Sequence, residues 1–153
     1  MNHLLEVEGL TVDYPIRRGV FTAIEDVSFH VSAGEILGVV GESGACKSTV
    51  GAAIMRLIDY PGFIRSGKIV LSGLDLASLS DQYMTAARGR RIGMIFQDPL
   101  TALNPVLTIG TRIRETIRKH TTLTGDAVDA RAVELLTQVG IPEPERRLAQ
   151  YPH

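Results

Sequence analysis

The stretch from residue 36 to residue 58 constrains this chain more than any other. Ile36 to Val40 is apolar, β-branched at Val39 and Val40, and too short for a helix, so it predicts a buried strand. A small-residue loop follows, Gly41-Glu42-Ser43-Gly44-Ala45-Cys46-Lys47-Ser48-Thr49. Val50, Ala53, Ile54, Leu57 and Ile58 then recur at helical spacing and mark one apolar face. Strand, glycine loop, Lys-Ser and helix are the context of a phosphate-binding P-loop.

The chemistry follows from the backbone. A helix N-terminus leaves N–H groups unpaired and carries partial positive charge, so it attracts phosphate. Small residues let the backbone approach closely enough to donate. Lys47 is expected to reach the outer phosphates as a point charge, and Ser48 to offer a hydroxyl to Mg²⁺. The pattern is G-x-x-x-x-G-K-[ST]; Gly41, Lys47 and Ser48 fit it, but Cys46 stands where the second glycine belongs. If that position needs close approach to phosphate, the CH₂–SH group overpacks it at about 1–3 kcal/mol. If it needs φ > 0, a further ~1–2 kcal/mol applies.

Composition narrows the remaining classes. A length of 153 residues allows one domain with a real core, and 44% hydrophobic with 22% charged residues reads as soluble and globular. A net charge of -1 and 5% aromatics without Trp give no case for nucleic acid. A single cysteine excludes an internal disulfide, and His3, His30, His120 and His153 are too scattered for a zinc site. There is no signal-peptide pattern at the N-terminus and no apolar run long enough to cross a bilayer.

Before the loop, residues 4–14 predict a strand ending at Pro15, Arg17-Arg18-Gly19 a turn, and residues 22–32 a strand with one wet face. After it, Tyr60-Pro61-Gly62 stops the helix, and Lys68–Leu71 predicts a short strand. Ser80 is placed to cap a helix through Ala87. Arg88, Arg90 and Arg91 read as the solvated basic end of that helix. Ile92–Phe96 predicts a second buried strand, followed by Gln97-Asp98-Pro99. Thr108 caps a helix bearing Ile109, Ile113 and Ile117; Thr124 and Asp126 open another bearing Val128, Ala132, Leu135, Leu136 and Val139.

Together, the loop GESGACKST and the string IFQDPLTALNP resemble the N-terminal half of an ATP-binding subunit of an ABC transporter, in the oligopeptide, dipeptide and nickel import group. The resemblance runs from Leu4 to His153. It implies an α/β P-loop NTPase of the ABC type: an antiparallel β layer, a partial parallel core sheet and a helical subdomain. Residues 1–98 would form the β layer and P-loop core, and 99–153 part of the helical subdomain that docks on the membrane-spanning partner. It further implies ATP and Mg²⁺ as ligands. Tyr14 would stack on adenine, residues 41–49 would hold the phosphates, and Ser48 and Gln97 would touch Mg²⁺, Gln97 also contacting the attacking water.

The implied partners are membrane-spanning permease subunits, a second ATP-binding subunit and, indirectly, a periplasmic substrate-binding protein, with no nucleic acid. The implied location is the cytoplasmic face of the bacterial inner membrane, as a peripheral subunit. The family's signature loop, Walker B aspartate and catalytic glutamate find no match among the 153 residues. A C-terminally truncated, weakly binding and inactive chain is therefore expected. The alternatives are a non-functional gene remnant, a binding-only module docking through residues 99–139, and a small P-loop kinase or switch using Asp98 for Mg²⁺.

Overall fold

The computed structural model describes residues 3–42, 44, 46–97 and 103–153. Two compact units divide the chain, Met1–Met94 and Ile95–His153.

The first unit is built on a four-stranded antiparallel sheet. Its strands are β1 (Leu5–Ile16), β2 (Gly19–Val31), β3 (Phe63–Leu71) and β4 (Leu74–Asp75), in the order β2-β1-β3-β4. β1 and β2 form the expected hairpin across Arg17-Arg18. β1 runs on through Pro15 rather than stopping before it. Pro15 faces Val20 of β2, whereas pairing with β3 ends at Asp13, so no ladder bond on that side needs the missing N–H.

Val7, Leu10, Val12, Ile24, Ile69 and Leu71 form the buried centre of this sheet, with Ala53, Leu76 and Met84 packed on it. On β2, Ser28 and His30 face solvent while Val27 and Phe29 are half-buried, the one-sided wetting that the alternation predicts. β1 is irregular between Glu8 and Thr11 in its register with β3, and Gly67 sits opposite that irregularity with φ +106°. A Cβ at Gly67 would lie 2.6 Å from Leu10 Cα, so the close backbone approach requires glycine.

Helices α1 (Lys47–Ile54) and α2 (Asp81–Ala87) complete the unit. Ser80 caps α2 as expected, its hydroxyl accepting from Tyr83 N at 3.4 Å. The helix after the glycine loop is shorter than its apolar periodicity suggests. Arg56 turns left-handed at φ +50°, and the chain reverses before Leu57 and Ile58.

Two expected strands do not form. Ile36–Val40 and Ile92–Phe96 have no strand assignment, and Ile36 and Ile95 are each 97% exposed. A parallel strand gains its hydrogen bonds only from neighbours in the same sheet. Among the described residues nothing pairs with Ile36–Val40, and the only parallel pairing is a single bridge between Arg88 and Ile92.

The second unit is helical: α3 (Ile109–His120), α4 (Asp126–Gln138) and α5 (Pro144–Leu148). Thr108 caps α3, accepting from Thr111 N at 3.2 Å. Ile117, Val128, Ala132 and Leu148 form its core, with Ile113, Leu135 and Leu136 packed around them. α4 begins at Asp126 behind Gly125, without a side-chain cap. α5 lies in the C-terminal tail; Pro144 at its first position is the signal that marks it. No helix among the described residues is long and apolar enough to cross a membrane.

Candidate functional site

The glycine loop leads directly into α1. Cys46 is the N-cap residue, at φ 52° and ψ 26°, in the left-handed region that favours glycine. The second of the two costs anticipated at this position therefore applies: a side-chain-bearing residue occupies a glycine conformation. The Cys46 side chain packs partly against the core of the first unit, and its thiol lies 3.5 Å from Gly44 O. Among the described residues no side chain caps the α1 N-terminus. An uncapped helix N-terminus of this kind presents N–H groups and partial positive charge to an external anion, the arrangement a phosphate fits.

Lys47, the first residue of α1, curls back over the loop. Its Nζ donates to Gly41 O at 2.8 Å and to Glu42 O at 2.6 Å. The ammonium therefore sits over the loop, and among the described residues its partners are these two carbonyls. Ser48 and Thr49 follow in the first turn, with Thr49 N donating to Cys46 O at 2.9 Å. Ser43 and Ala45 lie outside the described residues.

Tyr14 is half-buried near the end of β1, opposite Phe21. Its ring lies against Gly62, where any side chain would collide with it. Tyr14 and Cys46 both pack on the core cluster of the first unit. Gln97 is an exposed bend residue of the second unit. Asp98, the residue on which the kinase alternative depends, lies outside the described residues, as do residues 99–102.

One group read as solvated is engaged instead. Arg88 donates from Nε to Met55 O at 2.8 Å and from Nη2 to Arg56 O at 2.9 Å, just past the far end of α1. Arg90 and Arg91 are exposed, as expected. Sequence periodicity could not reveal the role of Arg88, because its acceptors lie more than thirty residues away and are backbone carbonyls. Among the described residues, no cluster of His, Cys, Asp and Glu could hold a metal ion.

Comparison with known proteins places this geometry. The ABC transporter family profile matches residues 24–153. The chain is 47% identical to the oligopeptide transport ATP-binding protein OppD of Bacillus subtilis (strain 168), over all of this chain and 43% of that protein. It is 43% identical to the dipeptide transport ATP-binding protein DppD of Escherichia coli (strain K12), over 98% of this chain and 46% of that protein. The chain thus spans less than half the length of these relatives. In fold it matches the dimeric, post-hydrolysis structure of the ATP-binding cassette MJ0796 bound to ADP and Pi. The TM-score is 0.83 at 23% identity, over 97% of this chain and 61% of that one. The mixed α/β fold is that of the ABC-type P-loop ATPases, and the chain belongs to the ABC transporter family, homologous to the oligopeptide and dipeptide transport ATP-binding proteins.

Proposed function

We propose that residues 41–49 form the nucleotide-phosphate site of an ATP-binding, energy-coupling subunit of a peptide importer. The observation that carries this reading is the placement of Lys47 across the carbonyls of Gly41 and Glu42, beside an uncapped helix N-terminus. Backbone carbonyls compete weakly with a polyphosphate for an ammonium, because a phosphate brings full negative charge. Lys47 exchanges those carbonyls for the outer phosphates, and the first-turn N–H groups donate to the same anion. Ser48 and Gln97 are the residues that would hold Mg²⁺, which neutralises phosphate charge when bound. Tyr14 supplies an aromatic face for adenine.

Residues 1–98 act as the β layer and phosphate core, and residues 99–153 as part of a helical subdomain. The partners are membrane-spanning permease subunits and a second ATP-binding subunit, with a periplasmic substrate-binding protein reached through them. The location is peripheral, on the cytoplasmic face of the inner membrane. The names of the relatives OppD and DppD support the substrate class, peptides. Hydrolysis requires an oriented water, a base and charge stabilisation at the γ-phosphate. Lys47 and Gln97 are the residues of this chain offered towards these, and Cys46 weakens the hold on nucleotide at the loop.

The test is titration of the purified chain with a fluorescent ATP analogue and Mg²⁺, beside Lys47→Met. Saturable binding that the substitution abolishes is expected. Binding of equal strength in both proteins would refute the assignment of the site.

A further inference from the structure

We infer that Arg56 and Arg88 form a clamp that positions α1, and with it the phosphate loop, by holding the helix at its C-terminal end. The inference rests on the reading of residues 41–49 as a phosphate site. α1 is only eight residues long, with Ala53 its single buried residue and Val50 and Ile54 packed part-buried on the core, so apolar packing holds one face of the helix without fixing its alignment at either end. Among the described residues no side chain caps its N-terminal end, which on the phosphate-site reading stays open to an anion. Alignment of the helix therefore has to come from the other end.

That end is closed by two backbone bonds, Arg56 N to Ala53 O at 3.0 Å and Leu57 N to Ala52 O at 2.8 Å. This is the Schellman pattern, which places a left-handed residue after the C-cap, usually glycine. Here the position is Arg56 at φ +50°. A residue strained in this way persists only where its surroundings over-determine it. They do so on two sides. The Arg56 guanidinium donates to Leu79 O at 2.7 Å and pairs with Asp81 at 3.0 Å, both at the start of α2. Arg88, the residue that ends α2, reaches back to Met55 O and Arg56 O. Each arginine thus ties the end of α1 to a different end of α2. Arg88 takes the carbonyl of the C-cap residue Met55, which the Schellman bonds leave open, and that of Arg56 just beyond it.

The test compares Arg88→Ala and Arg88→Lys with the unaltered 153-residue chain, by amide hydrogen exchange without nucleotide and by Mg-ATP-analogue affinity. Arg88→Ala is expected to speed exchange at Val50–Leu57 at least tenfold while β1 and β3 exchange as before. It is also expected to weaken nucleotide binding at least fivefold. Arg88→Lys, which keeps the charge and a donor, recovers part of both. Unchanged exchange in α1, or an equal loss of protection in β1 and β3, overturns the clamp. If the alanine variant does not fold, the lysine variant decides by the same comparison of α1 with the strands. Absence of nucleotide binding by the unaltered chain would instead sink the phosphate-site reading, and the exchange data would still decide the clamp.

Discussion

The ammonium of Lys47 lies 2.8 Å from the carbonyl oxygen of Gly41, six residues earlier in the same loop. On the proposed reading of residues 41–49 as a phosphate site, this cation is held by its own loop until an anion displaces it. Nucleotide binding then exchanges neutral acceptors for charged ones, and the gain depends on the charge of the ligand. ATP should therefore bind this chain more tightly than ADP, and ADP more tightly than AMP. Lys47→Met should remove most of that ranking, measured as dissociation constants for the three nucleotides. A ranking that survives the substitution would show that Lys47 is not the discriminating cation.

Cys46 holds φ 52° at the head of α1. Cys46→Gly relieves a left-handed strain of ~1–2 kcal/mol. Greater freedom of the unfolded chain offsets about 0.4–1 kcal/mol of this. A small net stabilisation is expected in thermal unfolding. Nucleotide affinity should rise by about fivefold or more, the equivalent of ~1 kcal/mol. Cys46→Ala is the informative control. It removes the thiol but keeps a Cβ in the left-handed region, so it should recover little stability.

Gly67 faces the irregular stretch of β1, with no room for a side chain next to Leu10 and Gly9 O. Gly67→Ala should destabilise the sheet by about 2–4 kcal/mol, combining overpacking with a strained φ. Chemical denaturation followed by circular dichroism measures this. A loss under 0.5 kcal/mol would mean that β1 and β3 separate at little cost.

Glu35 accepts a hydrogen bond from Ser32 N at 2.7 Å, which holds its carboxyl below the ordinary value of 4.5; His30 and His3 add a smaller favourable field. A carboxyl lowered by folding stabilises above its unfolded value and loses that contribution as pH falls through the folded value. Glu35→Gln should therefore lower thermal stability slightly at neutral pH, with the difference from the unaltered chain vanishing in acid. A difference that grows on acidification would contradict the sign. Because Glu35 is exposed, the effect should also shrink with salt.

Much of this protein was legible as local chemistry. The capping hydroxyls of Ser80 and Thr108, the Arg17-Arg18 hairpin and the apolar faces of α3 and α4 depend on neighbours within a few residues. Sequence patterns report such neighbours directly. The family was legible for the same reason, since the spacing of Gly41, Lys47 and Ser48 and the string around Gln97 carry the resemblance along the chain. The departure at Cys46 was also visible, but its consequence was not: only the backbone path shows that this position takes a left-handed φ.

Tertiary structure decided the rest. Ile36–Val40 has the composition of a buried strand, yet composition supplies no partner, and among the described residues none pairs with it. Arg88 has the composition of a solvated cation, yet the fold brings it to the carbonyls of Met55 and Arg56. In both cases the deciding hydrogen-bond partner is remote in sequence. A residue's identity determines which bonds it can make, and only the packed chain determines whether a partner stands within reach.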